Sequence, residues 1–181
     1  MTRSGRVGGA RAVAGNMVLT PTGLRFRGRR IACSIGRGGV TRDKREGDGA
    51  TPAGVHRIVG CLWRRDRLAR PAYWAVPIGP RDLWCDDPGH PDYNLMARAP
   101  VDASAERLAR GDRLYDLVIL TDWNWPRAER GRGSAIFVHR WRRPGYPTEG
   151  CVAMAPGDLL WVAARIVPGT RLVVPEALAG R

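Results

Sequence analysis

From Met17 onward the apolar residues of this chain come in short alternating runs closed by turn signals, and only one stretch keeps a helical period. Met17-Val18-Leu19 is followed by Thr20-Pro21-Thr22-Gly23, then Leu24-Arg25-Phe26, then Arg30 to Ile35. Alternation sends successive side chains to opposite faces of an extended backbone, so these runs predict a meander of half-buried strands. Val55 to Trp63 repeats the pattern, and Ala72 to Ile78 predicts a short strand. Leu114 to Thr121 is apolar enough for a central strand, Ser134 to His139 predicts another, and Arg171 to Val174 ends the series. Pro156 to Ile166 is the exception. Leu159, Leu160, Val162, Ala163 and Ile166 make an apolar stripe, Pro156 suits a first turn, Asp158 complements the amino-terminal dipole, and Pro168-Gly169 stops the helix. The fold class expected is mainly β with one principal helix.

At 181 residues the chain suits one domain, and it has no internal repeats. Residues 1–15 are rich in Gly, Ala and Arg without periodicity and are expected to be a flexible arm, leaving 16–181 as the domain. Gly36 to Gly54 is expected to be a loop, and Pro80 to Pro100, rich in Pro, Asp and Gly, a long ordered one. No apolar run is long enough for a membrane span, and the amino terminus shows no apolar core of a signal peptide. The net charge of +13 is carried almost wholly by arginine, with Lys44 the sole lysine. Such an excess favours anionic surroundings: nucleic acid, acidic lipid or an anionic cell-wall surface. No arginine-rich helix, zinc finger or aromatic RNA-binding pattern is present, so nucleic acid is not the expected partner. Cys33 and Cys61 fall in strand-like runs and are expected in the core. With no Cys-x-x-Cys pair and no ligand spacing around His56 or His90, neither a metal nor another cofactor is expected.

The segment Ser134 to Met154 carries the chemistry. His139 ends an apolar run, a turn-rich excursion with Pro144, Gly145 and Pro147 follows, and Gly150 stands directly before Cys151. A thiol needs a nearby base to act as a nucleophile at neutral pH, and the excursion lets the chain fold back to bring Cys151 beside the imidazole. Gly150 allows close backbone approach, so the amides of Gly150 and Cys151 are candidates for an oxyanion hole. The competing reading is a core thiol near a histidine by chance.

These residues resemble the signature of the L,D-transpeptidase catalytic domain family (YkuD-type): a His, a variable loop, then Ser/Thr-His-Gly-Cys. His139, Thr148, Gly150 and Cys151 match it, Glu149 stands where the family has its second His, and Ala153 replaces a polar residue. The run from Gly36 to Ile58, with Lys44, Glu46, Gly47, Asp48, Thr51, Pro52 and Gly54, and the run from Trp84 to Met96 resemble further blocks of that family. The resemblance implies a β-sandwich-like catalytic domain with its helix after the catalytic cysteine. It implies a cell-envelope enzyme of wall biogenesis, acylated by carbapenems, that cross-links donor and acceptor peptidoglycan stem peptides through a thioester on Cys151. His139 would be the base, oriented by the Arg140 carbonyl. Arg140, Arg142 and Arg143 are expected to hold substrate carboxylates, a solvated loop being the alternative, and Trp141, Tyr146, Trp84, Tyr93 and Asn94 to wall the groove, Trp84 and Asn94 having structural roles as alternatives. Trp123 and Trp125 are candidates for a lid, and Glu149 would either meet an arginine of its own loop or, left unpaired, raise the thiol pKa. Two alternatives stay open: a carboxypeptidase or amidase using the same Cys-His pair, and a non-catalytic binder of anionic wall polymer.

Overall fold

The computed structural model describes residues 15–180, so the arm expected over residues 1–15 lies outside the described residues but for Gly15. Strands β1 (Met17–Thr20), β2 (Gly23–Phe26) and β3 (Arg29–Ile31) form the expected opening meander. β4 (Cys33–Ser34) follows directly, and β5 (Val40–Thr41) pairs in parallel with β6 (Thr51–Pro52) inside the glycine-rich segment. Then come the long β7 (Gly54–Trp63), β8 (Val76–Pro77), β9 (Asp82–Cys85), β10 (Met96–Arg98) and β11 (Ala105–Arg107). β12 (Leu117–Thr121), β13 (Phe137–Arg140), β14 (Val152–Met154), helix α1 (Pro156–Ala163) and β15 (Arg171–Val174) complete the order.

The main sheet runs β3-β2-β1-β15-β7-β12-β13-β14-β4, with β8 on β7. Its two ends, β3 and β4, are joined by the single residue Ala32, so the sheet curls until it is nearly closed. Inside the curl sit Met17, Leu24, Phe26, Ile58, Ile119 and Val138, covered by Leu159, Val162 and Ile166 of the helix region. Each such side chain contributes about 1.5–3 kcal/mol by leaving water, which is what holds so short a helix in place. Asp158 does more than complement the dipole: it pairs with Arg29 at 2.9 Å, tying the helix start to the β2–β3 hairpin.

Several boundaries differ from the sequence reading: α1 stops at Ala163, short of Ile166, the strand expected over Ala72 to Ile78 shrinks to Val76–Pro77, and the loop expected over Gly36 to Gly54 holds β5 and β6. Pro80 to Pro100 is not a loop throughout: β9 and β10 lie in it and pair antiparallel, with β11 on the far side of β9. This small sheet covers the outer face of β7, β12 and β13, burying Trp84 and Leu108 against Leu62, Val118 and Phe137. Its strands are too short to announce themselves by alternation. The expected strand from Ser134 begins only at Phe137, because Ala135 takes a left-handed φ of 52°. The run from Leu114 becomes a strand only at Leu117. Cys33, Cys61 and Cys85 are free, the last two buried.

Candidate active site

Parallel pairing of β13 with β14 sets Val138 beside Val152 and His139 beside Ala153. The two-residue period of a strand then divides the side chains. Val138 and Val152 face the inner core, whereas Phe137 and Cys151 belong to the outer cluster, the side on which His139 also lies. His139 and Cys151 open into one cavity of about 440 Å³.

The imidazole is held in one tautomer. Its Nδ1 lies 2.7 Å from the Arg140 carbonyl, which can only accept, so Nδ1 carries the proton and Nε2 keeps its lone pair. The Tyr115 ring meets it edge-on at 5.3 Å. Burial lowers the His139 pKa to about 4, the Arg140 carbonyl opposing the shift. The thiol is shaped the other way. Burial pushes Cys151 up to about 12, only partly offset by the Phe137 N–H, which donates to Sγ at 3.3 Å. The thiol hydrogen is turned to the Ala135 carbonyl at 3.1 Å. The pair therefore rests as neutral thiol and neutral imidazole instead of a standing thiolate–imidazolium pair.

The cysteine turn sits in a cradle supplied by the segment from Gly36 to Thr51. Thr51 Oγ1 donates to the Gly150 carbonyl at 2.8 Å and accepts the Gly36 N–H at 2.9 Å. Arg37 N–H donates to the Thr148 carbonyl, and Thr148 N–H donates to Ile35. Asp48 braces this segment by taking Lys44 Nζ and the amides of Arg45 and Ala50, leaving the Lys44 side chain 3% exposed. Glu149 pairs with Arg37, not with an arginine of its own loop. Both partners are largely exposed, so the pair adds little stability. Gly150 has a φ of 135°, and a Cβ there would lie 2.8 Å from the Ala50 carbonyl oxygen. Gly150→Ala is accordingly expected to cost about 3 kcal/mol, lowering the melting temperature by roughly 6–12 °C. A thermal melt within a degree of the parent would show that the turn relaxes freely.

The oxyanion expectation needs one correction. Gly150 N–H donates to Thr148 Oγ1 at 3.2 Å, so that amide is engaged in the resting turn. Thr148 also donates to the Cys151 carbonyl at 2.6 Å, which makes it the residue that closes the turn.

The other expected residues divide sharply. Trp141, Arg142 and Tyr146 line the cavity, with Arg142 and Arg143 both stacked on the Tyr146 ring at 5.8 and 5.3 Å. Arg143 is exposed beyond the rim. The Arg140 side chain points the opposite way, into a separate cavity beside Leu159 and Leu160, because it is one residue out of phase with His139. Trp84, Tyr93 and Asn94 are buried beneath the site and do not wall it. Trp84 packs edge-on against Phe137 and donates to Asn94 Oδ1. Asn94 Oδ1 also accepts the Ala135 N–H, while its amide donates to the carbonyls of Trp123 and Asn124. Asn94 thus fixes the left-handed residue whose carbonyl holds the thiol. Trp123 and Trp125 line a different cavity with His56, so they form no lid over Cys151.

The sequence reading missed Asp86, Glu106, Arg110 and Tyr115, which line the cavity alongside Glu46. Tyr115 donates to Glu106 at 2.5 Å. Burial raises the Glu106 pKa, with Asp86 and Glu46 adding to the shift and Tyr115 opposing it. Arg110 lies 5.2 Å over the Tyr115 ring and forks onto Asp112. Glu46, which accepts from the Tyr93 hydroxyl, and Asp86 do stand in the blocks from Gly36 and Trp84. That was the available signal.

A thiol, a tautomer-locked imidazole and a cavity lined by both carboxylates and guanidinium groups share one face of the sheet. The chain belongs to the L,D-transpeptidase catalytic domain (YkuD) family, which it matches over residues 14–174. Among solved structures it is similar to an L,D-transpeptidase from Mycobacterium smegmatis, at 14% identity and a TM-score of 0.39. The similarity covers 83% of this chain and 52% of that one, so the chain spans about half its length. No curated protein matches the chain.

Proposed function

We propose that the protein is a cysteine acyltransferase of the cell envelope that joins peptidoglycan stem peptides. The observation that carries this is the lone pair left on His139 Nε2, on the same sheet face as Cys151 and in the same cavity. Nε2 takes the thiol proton as sulfur attacks the donor peptide carbonyl. The carbon–nitrogen bond breaks, the imidazolium returns the proton to the leaving amine, and a thioester remains on Cys151. An acceptor amine then attacks the thioester and gives up a proton to Nε2, and the thiol is restored. Arg142 on the cavity wall suits a substrate carboxylate.

The test is incubation of the purified protein with a tetrapeptide stem, followed by mass spectrometry. A cross-linked dimer is the expected product. Trimmed monomer alone would make the protein a hydrolase with water as acceptor, and the absence of both product and thioester would leave a binding module.

A further inference from the structure

The outer face of the sheet half opposite the cavity carries cross-strand arginine pairs. Arg25 of β2 stands directly opposite Arg30 of β3, and Arg57 of β7 directly opposite Arg171 of β15. Like charges in register destabilise a sheet unless something neutralises them. All four are exposed, and among the described residues none has a carboxylate within ion-pair distance. Asp122, beside Arg57, accepts that residue's backbone amide. Arg30 and Arg25 head a row whose remaining positions are apolar: Arg25 faces Val18, Val18 faces Val173, and Val173 faces Val55, which is 57% exposed, with Arg171 and Arg57 two residues along on the same face. The row crosses five adjacent strands, about 19 Å. It is an open apolar strip with unpaired guanidinium pairs toward its two sides.

We propose that this face docks the protein reversibly on an anionic lipid surface. Headgroup phosphates answer the arginines, and the acyl boundary answers the valines between them. A linear polyanion would satisfy the guanidinium groups and give the valine strip no partner. A second copy would set arginine against arginine. Nor does the preceding segment neutralise the face, since residues 1–14 hold Arg3, Arg6 and Arg11 and no carboxylate. The inference does not depend on the chemistry at Cys151.

Co-sedimentation with vesicles of phosphatidylglycerol and phosphatidylcholine tests it. The protein should partition onto the mixed vesicles, not onto phosphatidylcholine alone, and release as salt is raised. Arg25→Ser with Arg30→Ser, and separately Arg57→Ser with Arg171→Ser, should each weaken partition about thirtyfold. Arg42→Ser with Arg45→Ser removes the same charge from carboxylate-paired positions and should change it less than twofold. Val55→Ser should weaken vesicle binding a few-fold and leave retention on inorganic polyphosphate untouched. The proposal is overturned if the control pair loses as much as the patch pairs, if polyphosphate retains the protein while vesicles do not, or if the patch variants change only self-association. Circular dichroism on every variant separates these outcomes from misfolding.

Discussion

Cys151→Ser is expected to lower acyl transfer by about a thousandfold or more and to leave the fold unchanged. The hydroxyl fits where the thiol was: it accepts from the Phe137 amide and donates to the Ala135 carbonyl, so both hydrogen bonds at the site survive. What it lacks is nucleophilicity, and His139 has among the described residues no carboxylate orienter to compensate, only the Arg140 carbonyl. Intact-protein mass after exposure to a carbapenem, whose strained ring presents an acyl carbon, reads the same atom directly. One adduct on the parent and none on the variant is expected. Turnover at the parent rate, or an adduct mapping to Cys85, would move the nucleophile elsewhere.

His139→Ala should cost about a hundredfold to ten-thousandfold in rate, the range for loss of a positioned base. Its effect on pH dependence is more diagnostic. With the pKa lowered by burial to about 4, the imidazole is already the free base at neutrality, so the acid limb of kcat/KM should fall near pH 4 and not near 6.5. A midpoint near 6.5 would mean that the ring is solvated. The same shift bears on stability. Because the folded pKa lies below the unfolded one, the unfolded chain binds the proton first as pH falls, and stability present above about 6.5 is lost toward about 4. On the order of 3 kcal/mol is at stake. The His139→Ala variant should therefore lose less stability over that window than the parent, as chemical denaturation at each pH would show.

The strands that alternate over a half-buried face, β1, β2 and β7, were legible because period two maps directly onto burial. So was the helix, whose Leu159, Val162 and Ile166 stripe is buried as its spacing required. The small sheet of β9, β10 and β11 was not, since runs of three or four residues among Pro, Asp and Gly gain their pairing from neighbours. At the site, Cys151 and His139 stood out by chemistry. Trp84, Tyr93 and Asn94 stood out for the same reason and turned out to be buried supports, because a loop aromatic reads alike whether it faces substrate or the core. Tyr115 was hidden inside an apolar run read as a central strand. No local pattern reveals that Ala50 and Thr51 seat Gly150, a contact made across ninety-nine residues of chain.

Lys44 belongs to that same brace, locked on Asp48 with its side chain 3% exposed. It is the sole lysine, so every other basic side chain but the histidines is a guanidinium. Guanidinium groups stay protonated at any ordinary pH and make poor nucleophiles. Under the proposed function, a thioester on Cys151 would meet no exposed side-chain amine among the described residues that could intercept the acyl group.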